Sequence, residues 1–106
     1  MARAIVTMPK TATRGEVIQI RTLIAHPMET GYRRGDDGNI LARNLIRRFT
    51  VRYDGETVFA ADLYPAVAAN PLFVFSTVAT TSGTLTFTWE GDNGFAQTES
   101  VALVVT

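Results

Sequence analysis

Polar and apolar residues alternate one for one along two stretches of this chain of 106 residues. From Thr84 to Glu90, the residues Leu85, Phe87 and Trp89 fall on one side of an extended backbone and Thr84, Thr86, Thr88 and Glu90 on the other, because successive strand side chains point to opposite faces. Ile18, Ile20, Thr22 and Ile24 alternate with Val17, Gln19, Arg21 and Leu23 in the same way. This second set is only partly polar, which hints at cover from a neighbour on that face. Five more runs are rich in Val, Ile, Thr or aromatics: Arg3 to Met8, Leu45 to Tyr53, Thr57 to Leu63, Leu72 to Thr80 and Thr98 to Val105. Turn residues separate the runs at Thr13-Arg14-Gly15, Asp36-Asp37-Gly38-Asn39, Asp54-Gly55-Glu56, Ser82-Gly83 and Gly91-Asp92-Asn93-Gly94. Asp54-Gly55 has the composition of a type I′ hairpin turn, which needs positive φ at both central residues. The pattern predicts an all-β fold, an immunoglobulin-like β-sandwich of about seven antiparallel strands. The stretch Leu63 to Pro71 breaks the alternation with small residues between two prolines. It reads as a crossover between sheets, with a helical turn expected after Pro65.

Length and composition narrow the function. The size fits one domain over residues 1–106. With 46% hydrophobic and 19% charged residues, the chain is too apolar to be disordered. Ten basic residues balance ten acidic ones, so the total charge favours neither nucleic acid nor an anionic membrane. There is no cysteine, which excludes a disulfide framework, a thiolate metal site, a cysteine nucleophile and a covalent thiol carrier on this chain. The first ten residues carry a short apolar run broken by Pro9. They lack the apolar core and cleavage site of a secretory signal, so read alone the chain is expected in the cytoplasm, or exported only in company with another chain.

Few residues could carry chemistry. The single histidine, His26, lies in His26-Pro27-Met28-Glu29-Thr30-Gly31 directly after a predicted strand. A metal site needs further nitrogen, sulfur or oxygen ligands, and no second histidine or cysteine exists. His26 reads either as a strand-end residue bonded to backbone or as a contact in a partner or substrate groove. Asp36, Asp37 and Asn39 superficially match a calcium loop but lack its remaining spacing and terminal glutamate; a polar turn accounts for them. No Gly-x-Ser-x-Gly elbow occurs, which disfavours triad hydrolysis. Six of the ten basic residues are the arginines Arg33, Arg34, Arg43, Arg47, Arg48 and Arg52. They suit either an oxyanion or protein contact or a solvated strand edge. Phe73, Phe75 and Phe95 fit the core or an apolar interface equally well.

One ordered series of segments carries a resemblance: His26 to Gly31, Asp36 to Ile40, Tyr53-Asp54-Gly55, Ala61-Asp62, Pro65-Ala66, Ala69-Asn70-Pro71 and Gly83-Thr84-Leu85-Thr86-Phe87-Thr88-Trp89. Over nearly its whole length the chain resembles the Z subunit (SoxZ) of the SoxYZ thiosulfate-oxidation sulfur carrier. It departs from that family at Ala42-Arg43-Asn44, where a proline, a basic residue and a histidine are expected, and at Leu72, where a tyrosine is. The resemblance implies an immunoglobulin-like scaffold that pairs with a Y subunit, whose C-terminal Gly-Gly-Cys-Gly-Gly arm holds sulfur intermediates.

On that footing the chain is expected to be a non-catalytic subunit of a heterodimer with a SoxY-type partner. It is expected to be periplasmic through export with that partner, to touch sulfur-oxidation enzymes transiently, and to need no cofactor, metal, nucleic acid or membrane. The absence of cysteine agrees, since the covalent attachment must then lie on another chain. The residues expected to face the partner or its arm are His26, Met28, Glu29, Thr30, Gly31, Arg33 and Asn70. The rival readings are a SoxYZ-like carrier subunit of another periplasmic oxidation pathway, a small sulfur-transfer enzyme using His26, and a self-assembling structural sandwich.

Overall fold

In a strand buried on one side, side chains must alternate between core and solvent, and the segment Val17–Ile24 does so at every position. The computed structural model describes residues 3–64, 67 and 69–106. Among the described residues there are eight strands: β1 (Ala4–Thr7), β2 (Thr11–Ala12), β3 (Val17–Ile24), β4 (Ile46–Tyr53), β5 (Glu56–Asp62), β6 (Leu72–Val78), β7 (Gly83–Gly91) and β8 (Ala96–Val105). They form a three-stranded sheet in the order β1-β3-β6 and a five-stranded sheet in the order β2-β8-β7-β4-β5. The architecture is the immunoglobulin-like sandwich that the alternation predicts. Strand β2 is an addition: its two residues pair in parallel with Val104 and Val105 of β8. So short a strand leaves no period to read. The expected helical turn after Pro65 begins outside the described residues.

Asp54 and Gly55 join β4 to β5 with φ of 49° and 82°, the positive pair that a type I′ turn requires. The Asp54 carboxylate then accepts the Thr84 N–H at 2.9 Å, tying the hairpin to the start of β7. At the same end the Tyr53 hydroxyl donates to the Thr81 carbonyl and accepts the N–H groups of Thr80 and Thr81. One buried tyrosine thus fixes the link between the small sheet and the large one.

An aromatic stack joins the two layers. Phe49 of β4 has its ring centroid 4.9 Å from Trp89 of β7 and 5.0 Å from Phe73 of β6, both near-parallel. Phe59 of β5 stacks on Phe75 of β6 at 4.4 Å. Two rings of the small sheet are thereby interleaved with three of the large sheet, so Phe73 and Phe75 belong to the core. Ile18, Ile20, Ile24, Leu85, Phe87 and Leu103 fill the remaining interior.

The two outer faces differ. On the large sheet β7 and β8 present Thr84, Thr86, Thr88, Thr98 and Ser100, in cross-strand register. On the small sheet the register sets Ile5 beside Leu23 and Leu23 beside Leu72, and Val17 beside Val78. The mixed face of β3 read from the sequence is therefore exposed, and among the described residues no strand or sheet is laid over it. Strand β6 is also the edge of its sheet, and its sequence Leu-Phe-Val-Phe-Ser-Thr-Val contains neither a charge nor a proline.

Because Phe49 is fully buried and touches rings from both sheets, Phe49→Ala is expected to cost about 3–5 kcal/mol of folding stability. Urea unfolding followed by tryptophan fluorescence measures it directly. A loss below about 1 kcal/mol would show that the aromatic stack does not hold the layers together.

Candidate functional site

The chain leaves β3 at Ile24 and enters β4 at Ile46, and the segment between them builds one end of the molecule. Pro27 cannot donate a backbone hydrogen bond and keeps His26 extended. Asn70 supplies the fixing contacts from the other side: its Oδ1 accepts the His26 N–H at 2.9 Å, and its own N–H donates to the His26 carbonyl at 2.8 Å. Asn70 does this from a left-handed backbone, φ 53°, a conformation asparagine tolerates better than most residues. His26 is only 4% exposed, and its ring meets Phe95 edge-on with centroids 5.1 Å apart. That contact assigns Phe95 to the support of the histidine.

Met28 takes the stranger conformation. Its φ is 50°, unusual for a long side chain and found chiefly where surroundings enforce it. Here its N–H donates to His26 Nδ1 at 3.0 Å, and its thioether sulfur lies 3.3 Å from the Ile46 N–H as an acceptor. The two bonds lock the loop onto the first residue of β4. Beyond Met28 the backbone of Glu29 exchanges two hydrogen bonds of 2.8 Å with Asn44. A further bridge pairs Arg34 with Ile40, so residues 29–44 form an irregular hairpin arm turning at Gly35 to Asn39. Tyr32 on this arm is 85% exposed. Gly31 has φ 88°, and a Cβ there would stand 3.2 Å from Arg43 Cβ; glycine lets the two limbs of the arm approach.

The charges are paired at the surface. Arg33 forks onto Glu29 with bonds of 3.1 and 3.0 Å, and this holds the Glu29 carboxyl below the usual carboxylate range. Asp92, in the turn after β7, receives Arg47 at 2.7 Å, Arg43 at 3.2 Å and the Leu45 N–H at 3.1 Å. The bond from Arg47, then the Leu45 N–H and the charge of Arg43, keep its carboxyl low. Arg48 pairs with Asp62 at 2.6 Å, and Arg34 donates to the Gly38 carbonyl at 2.7 Å. Five of the six clustered arginines therefore have partners within the chain. Exposed pairs of this kind contribute little to stability; those of Arg33, Arg34 and Arg43 bear on the shape of the arm, while Arg47 and Arg48 tie β4 to Asp92 and to β5.

The structure brings Met28, Glu29, Thr30 and Arg33 together around a shallow concavity of about 450 Å³, completed by Pro27 and Ala69. His26 lies behind it, and Gly31 lies against the opposite limb of the arm. Asn70 lines a different concavity of about 330 Å³, with Arg3, Ile5, Leu23 and Ala25 on the open face of the small sheet. Asp92 and Tyr32 join the site without having been proposed for it from the sequence, and Asn44, noted there only as a departure from the family, pairs with Glu29. For Asp92 the available signal was an acid in a glycine-rich turn directly after the clearest strand. Asp36 and Asp37 stay in a turn: Asp37 accepts the Asn39 N–H at 3.0 Å. Among the described residues there is no group of three or more His, Asp or Glu placed to hold a metal.

Chemically, the end is a holding surface. The Nδ1 lone pair of His26 is taken by the Met28 N–H, so the neutral ring carries its proton on Nε2, which is buried without a partner. No ring nitrogen is presented to the concavity as a base. The chain is a cysteine-free immunoglobulin-like sandwich with a structured loop end. Its sequence places it more narrowly: the profile of the family described as "Sulphur oxidation protein SoxZ" matches residues 6–102, and the chain belongs to that family. Its role is accordingly in sulfur oxidation.

No curated protein matches the chain in sequence beyond chance. Solved structures share its fold at low identity. The superoxide reductase (neelaredoxin) from Ignicoccus hospitalis is 15% identical with a TM-score of 0.76, covering 99% of this chain and 82% of its own. The sulfur carrier protein SoxY from Chlorobium limicola f thiosulfatophilum is 11% identical with a TM-score of 0.69, covering 97% and 78%. At these identities the likeness is one of fold.

Burial lowers the proton affinity of His26, and the nearby Asp92 charge offsets this only in part. A histidine whose folded value lies below its unfolded value of about 6.5 binds more protons when unfolded, so its contribution to stability is complete above that pH and is lost as pH falls. Denaturant midpoints measured from about pH 8 down to pH 5 should be flat at first and then decline below about 6.5. In His26→Gln that part of the decline should vanish. An unchanged slope in the variant would assign the acid sensitivity to other groups.

Proposed function

We propose that this chain is the non-catalytic scaffold subunit of a heterodimeric sulfur carrier, paired with a SoxY-type subunit whose C-terminal cysteine carries the covalent sulfur intermediates of thiosulfate oxidation. The observation that carries the reading is membership of the SoxZ family by a chain without cysteine. Persulfide and thiosulfonate chemistry needs a thiol, and a member that has none requires a partner to supply it. The enclosed His26 supports the non-catalytic role, since neither ring nitrogen faces the loop concavity. In this reading the pair resides in the periplasm, where the partner's export signal takes both chains.

Division of labour within the site follows from burial and hydrogen bonding. The buried His26 and Met28 hold the loop together with the exposed Asn70, which bonds His26 twice, while Glu29, Thr30, Gly31 and Arg33 form the surface that meets the partner's arm or the enzymes that load and unload it. The concavity that Glu29, Thr30 and Arg33 line is shallow and polar at its rim, suited to a flexible glycine-rich segment bound weakly enough to be released.

The test is intact mass analysis of the complex that co-purifies with this chain from its native cells, run before and after reduction. The expected result is a roughly equimolar second subunit of about standard interface size, carrying reducible sulfur adducts on one cysteine. Recovery of the chain alone, or as an adduct-free assembly of itself, would overturn the proposal.

A further inference from the structure

The outer face of the β1-β3-β6 sheet has the composition of an interface. Ile5, Val17, Leu23, Leu72, Val74 and Val78 are between 38% and 66% exposed and lie on this one face. Isolated surface hydrophobics need no explanation, whereas a contiguous patch of several hundred Å² rimmed by polar groups marks a contact site. Three strands about 4.8 Å apart and up to eight residues long present roughly 400 Å² in projection. With side-chain relief and the adjoining concavity at Arg3, Ala25 and Asn70, the face reaches the order of 800 Å² that a stable pair buries on each partner. The threonine-rich face of the large sheet offers no comparable patch, so the contrast selects one side of the sandwich.

Charge selects the occupant. Register places Thr7, Arg21 and Val74 in one row across the middle of the face, and no aspartate or glutamate occurs in β1, β3 or β6. A second copy docked about a two-fold axis would bring Arg21 toward another Arg21 or onto apolar side chains, with no carboxylate from either sheet to meet it. A buried cation without a partner is strongly unfavourable. The complement is therefore a different chain with a flat apolar sheet face and an acidic residue opposite Arg21. A second β-sandwich provides such a face, since sheets pack face to face at about 10 Å with their side chains interleaved.

We infer that the open face of the small sheet is the docking surface for the body of the SoxY-type subunit, and that Arg21 fixes its register through a carboxylate of that subunit. This rests on the proposed function and adds where the pair joins. Because Asn70 lines the concavity on this face and its backbone neighbour Ala69 lines the one at the loop, a partner seated here has its arm within reach of Glu29, Thr30 and Arg33.

The experiment uses the full chain and the co-purified SoxY-type subunit, separated and recombined, with affinity read by calorimetry and self-association by sedimentation. Leu23→Glu and Val74→Glu should each weaken pairing by at least about 30-fold, as expected for a central apolar anchor. Arg21→Glu should weaken it by about 10-fold or more, and Ser100→Glu on the other sheet should leave it unchanged. Thermal melts of the isolated variants check that they fold. Carbene footprinting of the wild-type chain gives a second reading, with protection of Val17, Leu23 and Leu72 expected only in the complex. Wild-type pairing with no protection there, or with Leu23→Glu and Val74→Glu binding as wild type does, would overturn the docking face alone. Wild-type chain that never binds the SoxY-type subunit would overturn the proposed function as well. A self-dimer abolished by Val74→Glu would assign the face to a second copy and overturn the inference.

Discussion

Phe49 is where the two sheets become one core. Its ring is sandwiched between Trp89 from its own sheet and Phe73 from the other, and Phe59 and Phe75 stack beside it. Alternation along each strand places one side of a sheet inward, but alternation alone does not say what that side meets. The aromatic stack supplies the answer, because large planar rings interleave in few ways and bury much apolar area when they do. Once β4 is held against β6, the position of every neighbouring strand follows by register. The position of the loop between β3 and β4 follows with it.

That loop shows how a segment without regular structure is held in a single shape. His26 accepts from Met28, Met28 accepts from Ile46, and Asn70 closes on His26 from a distant part of the chain. Each contact leaves a backbone group satisfied where no sheet is available to do so. Two residues, Met28 and Asn70, take left-handed backbones in the process. Conformational cost of this kind is retained where the surroundings over-determine the geometry, and the surroundings here are the first turn of β4 and the Asp92 carboxylate with its two arginines.

Much of the sandwich was legible in the chain itself. Leu85, Phe87 and Trp89 announced β7, and Asp54-Gly55 announced the hairpin, because both depend on local rules. The family was legible from its motifs, and the profile match over residues 6–102 bears it out. Strand β2 was not legible, since two residues carry no period. Nor was the arm from Glu29 to Asn44, whose pairing rests on two isolated bridges in which three of the four residues are polar, Ile40 being the exception. The role of Asp92 escaped because its partners Arg43 and Arg47 lie more than forty positions away, and contacts at that separation are set by the fold. The half-apolar outer side of β3 did signal a missing neighbour, and among the described residues no strand is laid over it.

Strand β6 ends its sheet with a free row of backbone donors and acceptors and with no charge or proline to blunt it. Natural edge strands usually carry such a guard. Without it, pairing of two isolated molecules along that edge is a second-order process, whose rate grows as the square of concentration. Dilution of the isolated chain opposes such pairing, because open edges then meet less often.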